Sequence, residues 1–463
     1  MGSEGLGDFG NFCDIANAVL LRIGSKAAYC DCRVIFSSAT QARHSKSESY
    51  CTSNDSFGAS FRFLENGSWG FASTNSLSKE SLEACAARAL SLASASPGKS
   101  RINPEHVPVH KGRHELGLES GYLDYEPAAL LKMAKESAKA MEGSKGIDSA
   151  SVAVNLVYSR KAVMNNAGLY ATESVLRHRE FYEAVAKEGA DNIQSAHETC
   201  GEVGTTAGIS RSHELSAQAA ARAQKMLTSA LPPKGVFDVV IDGELAGTLA
   251  HEAVGHSSEG DTVASGGSVL GGMLGKKIAS ELVTITDSPL EDAYGKYAMD
   301  DEGVLASKST IIDSGVFSGY LTSLESASEL GVSPSGNGRA GGFYELPIVR
   351  MSNTFIKPGQ MELEELFESG NGLYLKGMKG GSVDPVTGNY VFAAEEGFEF
   401  SNGDIGRHLR DCTLTGNVLE TLKNVAMLSN DFSTSTGMCG KSGQHVPVGD
   451  GGPHVRIKGV RLG

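Results

Sequence analysis

The apolar positions of this chain follow two rhythms, and the change from one to the other divides it. In the first half, IANAVLLRI between Asp14 and Ile23, SKESLEACAARALSLAS (78–94), YEPAALLKMAKESAKAME (125–142) and SHELSAQAAARAQKMLTSAL (212–231) carry apolar residues at helical spacing. Ser78 is placed to cap its helix, Pro127 falls in a first turn, and Pro232-Pro233 stops the last of the four. Between them RVIFSS from Arg33, SFRFLENGSWGFAS (60–73) and SVAVNLVYSRKAVMNNAGLYATES (151–174) read as strands, with turns at Asn66-Gly67 and at Asn166 to Gly168. Residues 177–203 are mixed in pattern. After the double proline, VFDVVI is a buried strand leading to Asp242, an N-cap for the helix GELAGTLAHEAVGH. Beyond it LVTITD, VFSGYLTS, IVRMSNTFI, GLYLKGM, YVFAAEEGFEF and HVRIKGVRLG are short strands between glycine turns, the grammar of a closed sheet. Helices are expected there only at 290–297, 361–370 and 417–428.

The Pro- and Gly-rich stretch around residues 95–112 reads as a linker. The pattern thus predicts an α+β fold in three parts. Two are α+β subdomains, at residues 1–110 and 111–233; the third, at 234–463, is a predominantly β, barrel-like domain into which the helix ending at His256 packs. The stretch SGGSVLGGMLGKKIAS (265–280) is either a flap over that helix or an ordinary glycine-rich loop.

A length of 463 residues accommodates this division, and 40% apolar with 21% charged residues is a globular balance. The net charge of −14, with no basic block, argues against a nucleic-acid partner. No apolar run is long enough to span a membrane, and MGSEGLGDFGNFCD does not read as a secretory leader. Eight scattered cysteines without a C-x-x-C pair suggest reduced thiols in the cytoplasm.

The candidate chemistry lies in LAHEAVGHSSEGD, Leu249 to Asp261. His251 and His256 offer neutral imidazoles to a borderline cation such as zinc, and Glu252 beside them is a carboxylate able to take a proton from activated water. The two histidines are five residues apart, about 140° round an ideal helix. They converge on one ion only if the helix is distorted, and a π-bulge supplies the extra residue. Gly255 permits such loosening. His178, His197 and His213 have no metal-like spacing and read as structural or solvent-facing. Asp300, Asp301 and Glu302 are either a solvated turn or a site for a substrate amine, and Arg339 either binds a peptide carboxylate or acidic side chain or makes a structural ion pair.

HEAVGHSSEGD resembles the signature of the TldD/PmbA family of metallopeptidases. MDDEGV (299–304), GNGRAGGFYELPIVRMSNTFIKPG (336–359), DPVTGNYVFAAEEGFEFSNGDIGRHLRDCTLTGN (384–417) and GMCGKSGQHVPVGDGGPHVRI (437–457) agree with that family in the same order. The resemblance implies a third metal ligand at Cys439, one Zn2+ per active subunit, and hydrolysis of unfolded or flexible peptides with Glu252 as base. His445 and His454 are the other candidates nearby. The resemblance also implies a homodimer or a heterodimer with a PmbA-type paralogue, in which a non-catalytic peptide-binding or assembly role is the alternative. The chain departs from the family at Ser257-Ser258, where a glycine and an apolar residue are expected.

Overall fold

A computed structural model describes residues 8–25, 27–116, 126–206, 209 and 211–463. The first seven residues, part of the segment judged not to be a leader, lie outside it. Among the described residues, seven strands build the amino-terminal half: β1 (Tyr29–Ser45), β2 (Ser49–Glu65), β3 (Ser68–Thr74), β4 (Lys111–Leu116), β5 (Ile147–Asn165), β6 (Tyr170–Glu188) and β7 (Asn192–Val203). They form one sheet in the order β3-β2-β1-β5-β6, and β6 also carries β4 along its first half and β7 along its second. The segments on either side of residue 110 are therefore joined by a long antiparallel ladder, from Asp31 against Asn165 to Ser45 against Ser151. The stretch that reads as mixed is the β6–β7 hairpin, whose alternation is hidden because both faces of β6 are partly buried.

Successive strand side chains point to opposite faces, and here the two faces have different partners. Cys32, Val34 and Phe36 of β1 and Ala162 and Met164 of β5 face a helical layer of α1 (Phe9–Ile23), α2 (Lys79–Ser94), α3 (Pro127–Glu142) and α4 (Ser212–Met226). Ser78 caps α2 by accepting a hydrogen bond from Ser81 N. Asn66 and Gly67 turn the β2–β3 hairpin with φ of 51° and 72°, the left-handed pair that a two-residue turn needs. The other face carries Asp31, Arg33, Arg62, Lys161, Glu173 and Arg177, and it meets the carboxy-terminal half.

That half has fourteen strands: β8 (Gly235–Ile241), β9 (Ile285–Asp287), β10 (Ser309–Asp313), β11 (Val316–Phe317), β12 (Gly338–Arg339), β13 (Ile348–Val349), β14 (Asn353–Ile356), β15 (Asn371–Val383), β16 (Asn389–Ser401), β17 (Asp404–Asn417), β18 (Val425–Leu428), β19 (Ser433–Lys441), β20 (Gln444–Gly452) and β21 (Val455–Leu462). β17-β16-β15-β8-β21 is a continuous sheet, and pairing of Leu414 with Leu462 and Thr415 with Arg461 closes it into a barrel. A second sheet, β11-β10-β9-β14-β20-β19, lies against it. The helix that follows β8 is buried between them, with Leu245, Ala246, Leu249, Ala250, Ala253 and Val254 in one core with Val239, Leu375, Val448 and Val455.

Several expected elements differ. Residues 290–297 are turns, 363–366 are a single 3-10 turn, and 417–428 divide into a short helix (Val418–Lys423) and β18. The glycine-rich stretch is held down rather than free. Ser268 Oγ donates to Ser257 O, Val269 N to Pro385 O at 2.9 Å and Gly275 N to Phe317 O at 2.8 Å, and Leu270 is in the core.

Asp300, Asp301 and Glu302 are 0, 7 and 1% exposed, so the expected solvated turn is a buried joint between the halves. Asp300 accepts from Glu302 N and Val304 N at 2.9 Å. Glu302 pairs with Arg62 at 3.0 Å, Arg62 also bonds Asp31, and Lys161 lies 3.4 Å from Glu173 and 3.6 Å from Asp301. Removing one member of a buried ion cluster strands the others. Arg62→Ala, which leaves Asp31 and Glu302 without their cation, is expected to cost about 3–5 kcal/mol in urea unfolding; an unchanged midpoint would mean the joint contributes nothing.

Candidate metal centre

The helix after β8 is fixed at its start. Asp242 Oδ1 accepts from Leu245 N at 3.0 Å as an N-cap, and its Oδ2 accepts from Gly377 N at 2.9 Å, tying the cap to β15. Gly247 lets the helix press against β20, since a Cβ there would stand 2.3 Å from Gly451 N. The segment is α-helical over Gly243–Thr248 and then π-helical over Leu249–Gly255, where His256 N donates to His251 O. Such i→i+5 bonding accommodates one extra residue. It brings the two imidazoles onto one side, with ring centroids 5.3 Å apart and planes at 90°. Gly255 is required by packing: a Cβ there would lie 1.9 Å from Met351 Sδ.

Cys439 comes from β19, on the strand face turned toward this helix. Donor atoms of His251, His256 and Cys439 all lie within 4.8 Å of one another, and Cys439 Sγ is 3.5 Å from His256 Nε2. Arg350, with no exposed surface, donates to the carbonyls of Cys439 and Gln444 and so holds both strands of the β19–β20 hairpin. Glu259 fixes the other imidazole. Its Oε2 is 3.2 Å from His256 Nδ1, so that Nε2 is the nitrogen turned to the cluster, and Lys441 Nζ lies 3.0 Å from Glu259 Oε2 and 2.8 Å from Asp261. Glu252 is next to the cluster on its open side. Its side chain is 35% exposed and Oε2 is 3.9 Å from His256 Nε2.

Burial by itself raises the Cys439 thiol, but hydrogen bonds from His251 and His256 outweigh it and bring the group down to about 4. The imidazoles respond in kind. Burial lowers them, yet Cys439 raises His251, and Cys439 with Glu259 holds His256 well above its ordinary value. His251 Nδ1 is buried with no hydrogen-bond partner among the described residues. Two imidazoles and an ionised thiol, one nitrogen of them orphaned, fit a borderline-soft cation such as zinc.

The remaining candidates fall elsewhere. His454 is held between Asp431 at 2.6 Å and Tyr374 at 2.8 Å, and His445 is exposed across the hairpin from Gly440. His197 pairs with Glu395, His178 is buried against Thr205 O, and His213 is exposed. Arg339 is 5% exposed, donating to the carbonyls of Met351 and Pro447 and lying over Tyr297, and it lines a cavity behind the hairpin. Sequence reasoning missed Glu259 and Arg350. Glu259 carries a signal, since i+3 from a ligand is the spacing of a helical neighbour, whereas Arg350 acts at long range and leaves none.

Comparison with known proteins gives a consistent set of similarities. The model of the PmbA/TldA metallopeptidase C-terminal domain matches residues 234–463, that of domain 1 matches 48–93 and that of the central domain 121–227. A metalloprotease of Methanothermobacter thermautotrophicus is 38% identical over 455 residues, 97% of this chain and 98% of its own. The zinc metalloprotease TldD homolog of Saccharolobus solfataricus is 28% identical across 94% of this chain and 97% of its own. Among solved structures, TldE of Thermococcus kodakarensis superposes with a TM-score of 0.77 at 19% identity, covering 96% of this chain and 99% of its own. A Thermotoga maritima protein does so at 0.78 and 22%, covering 98% and 100%. At such identities these two speak to the fold alone.

Two outcomes are expected of the centre. Gly255→Ala, which forces Met351 aside at a cost of about 1–3 kcal/mol, is expected to weaken zinc binding, and Met351→Ala combined with it to restore binding; absence of rescue would remove the packing argument. Zinc affinity is expected to rise with pH, because the raised imidazoles must lose protons to bind while Cys439 is already ionised above about 4. Calorimetry in buffers of different ionisation enthalpy counts those protons, and a pH-independent affinity would contradict it.

Proposed function

The chain belongs to the PmbA/TldD metallopeptidase family, and from that premise we propose that it hydrolyses peptide bonds with one zinc ion held by His251, His256 and Cys439 and with Glu252 as general base. The observation that carries this reading is the convergence of those three donors within 4.8 Å beside a partly exposed carboxylate. A bound zinc ion supplies Lewis-acid polarisation of a carbonyl and makes a water molecule acidic near neutrality. Glu252 takes the proton from the attacking water on a carboxylate oxygen and returns it to the leaving nitrogen. Glu259 keeps a proton on His256 Nδ1 and leaves Nε2 free to ligate, and Lys441 balances the charge of Glu259 and Asp261. Arg350 keeps the Cys439 strand at its distance from the helix.

Unfolded or flexible peptides are the substrates that suit this surface. β19 lies at the end of its sheet, paired among the described residues to β20 alone. A peptide laid along its free edge is held by main-chain hydrogen bonds, which impose little sequence preference and which only an extended chain can make. The cytoplasm suits its free cysteines and its thiolate ligand. A second subunit, a copy of this chain or a paralogue, completes the working enzyme in this reading.

Glu252→Gln is expected to retain about one zinc per chain while cleavage of an unstructured peptide falls about a hundredfold to ten-thousandfold, and His256→Ala to lose both metal and cleavage. Metal analysis and peptide mass spectrometry on the same samples decide it. Undiminished cleavage by Glu252→Gln rules out the assigned base, and a zinc-loaded wild type that cuts nothing even with a paralogue present rules out the peptidase.

A further inference from the structure

The β19–β20 hairpin has two faces, and the metal site uses one. Cys439 and its partner Val446 turn toward the helix, while the neighbouring pairs, Met438 with Pro447 and Gly440 with His445, turn the other way. There, between the hairpin and the amino-terminal sheet, lies a cavity of about 490 Å³, within the range of small-molecule sites. Val175, Tyr294, Tyr297 and Met299 give it apolar and aromatic walls.

Its charge is not balanced. Lys161 is matched by Glu173 and Asp301, and burial together with the neighbouring Glu302 pushes the Asp300 carboxyl well above its ordinary value. Three guanidiniums remain, those of Arg177, Arg179 and Arg339. Among the described residues, none of them has a carboxylate at ion-pair distance. Arg177 donates to the carbonyls of Tyr294 and Lys296, and Arg339 to those of Met351 and Pro447 while it lies 4.8 Å from the Tyr297 ring centre. These contacts set their orientation without neutralising them. Arg179 has Nε buried with no partner among the described residues, a donor whose desolvation none of them repays. It stands beside Arg177 on alternate positions of β6, over Asn155 and Val157 of β5.

We propose that this cavity is a second ligand site, distinct from the metal centre, for a monoanionic carboxylate carrying an apolar or aromatic side group. Forked guanidinium donors match the two oxygens of a planar carboxylate, the apolar and tyrosine walls take the side group, and Glu173 and Asp301 on the same wall disfavour a dianion such as phosphate. The end of a peptide chain and a free organic acid present the same chemistry.

Calorimetric titration of the full-length, zinc-loaded protein with N-acetyl-L-phenylalanine tests this, with its amide and inorganic phosphate as controls. The acid is expected to bind and the amide to be silent. Arg179→Gln is expected to weaken binding about tenfold to a hundredfold at unchanged melting temperature and zinc content, with Arg179→Lys in between. Binding is expected to persist in His256→Ala, which separates this site from the metal and from any peptidase activity. A hexapeptide ending in phenylalanine that binds more tightly than the acetylated residue identifies the chain end as the ligand, and equal affinity identifies the free acid. Equal binding of the amide, indifference to Arg179→Gln, loss of binding in His256→Ala, or a preference for phosphate would each overturn the assignment.

Discussion

Two imidazoles five residues apart meet only where a helix takes in one residue more than its usual turn, and the centre of this protein is organised to impose that turn. An isolated chain gains nothing from π-helical bonding, so the distortion must be held from outside. The Asp242 cap fixes where the helix begins, β20 presses on Gly247, and Met351 occupies the space that a side chain at position 255 would need. The second sheet contributes both the wall that enforces the distortion and, through β19, the thiol that answers it. Helix and hairpin are thus positioned by the same packing, and neither forms the centre alone.

A similar dependence runs through the joint between the halves. The sheet face opposite the helices is lined with charge where an apolar face is the cheaper choice, and its partners are the carboxylates of residues 300–302 and a set of backbone carbonyls. Buried ion pairs seldom add stability over apolar packing, but they are exacting about register. An apolar face tolerates sliding, whereas Arg62 between Asp31 and Glu302 does not. The cavity behind the hairpin is left within this joint, and its unmatched guanidiniums belong to the same charged face.

Much of this was legible in the sequence, and the reasons differ by element. Asn66-Gly67, Ser78, Pro127 and Asp242 are local signals whose structural effect lies within a few residues, and each does what its chemistry dictates. The spacing of His251 and His256 carries the need for a π turn as plain geometry. What the sequence hid is long-range. Residues 300–302 look like a polar turn because their cations lie far away in sequence, and the β1–β5 ladder that crosses the linker leaves no local signal. Arg350 and Arg339 share that difficulty, since a buried arginine and a surface arginine are the same letter. The Cys439 position came through resemblance, and no local pattern around it would have named it.

Closure of the barrel bears on how the protein comes into being on the ribosome. β8, the first strand of its half, is bordered by β15 and by β21, both made much later, so the barrel stays an open sheet until those strands have emerged. The histidines emerge long before Cys439, so two donors of the candidate centre precede the third, on a helix that has nothing yet to hold its wider turn. The long interval of loop closure makes such a topology slow to complete. Assembly of the candidate centre thereby waits on β19, and a chain that stops short of that strand is left without its thiol.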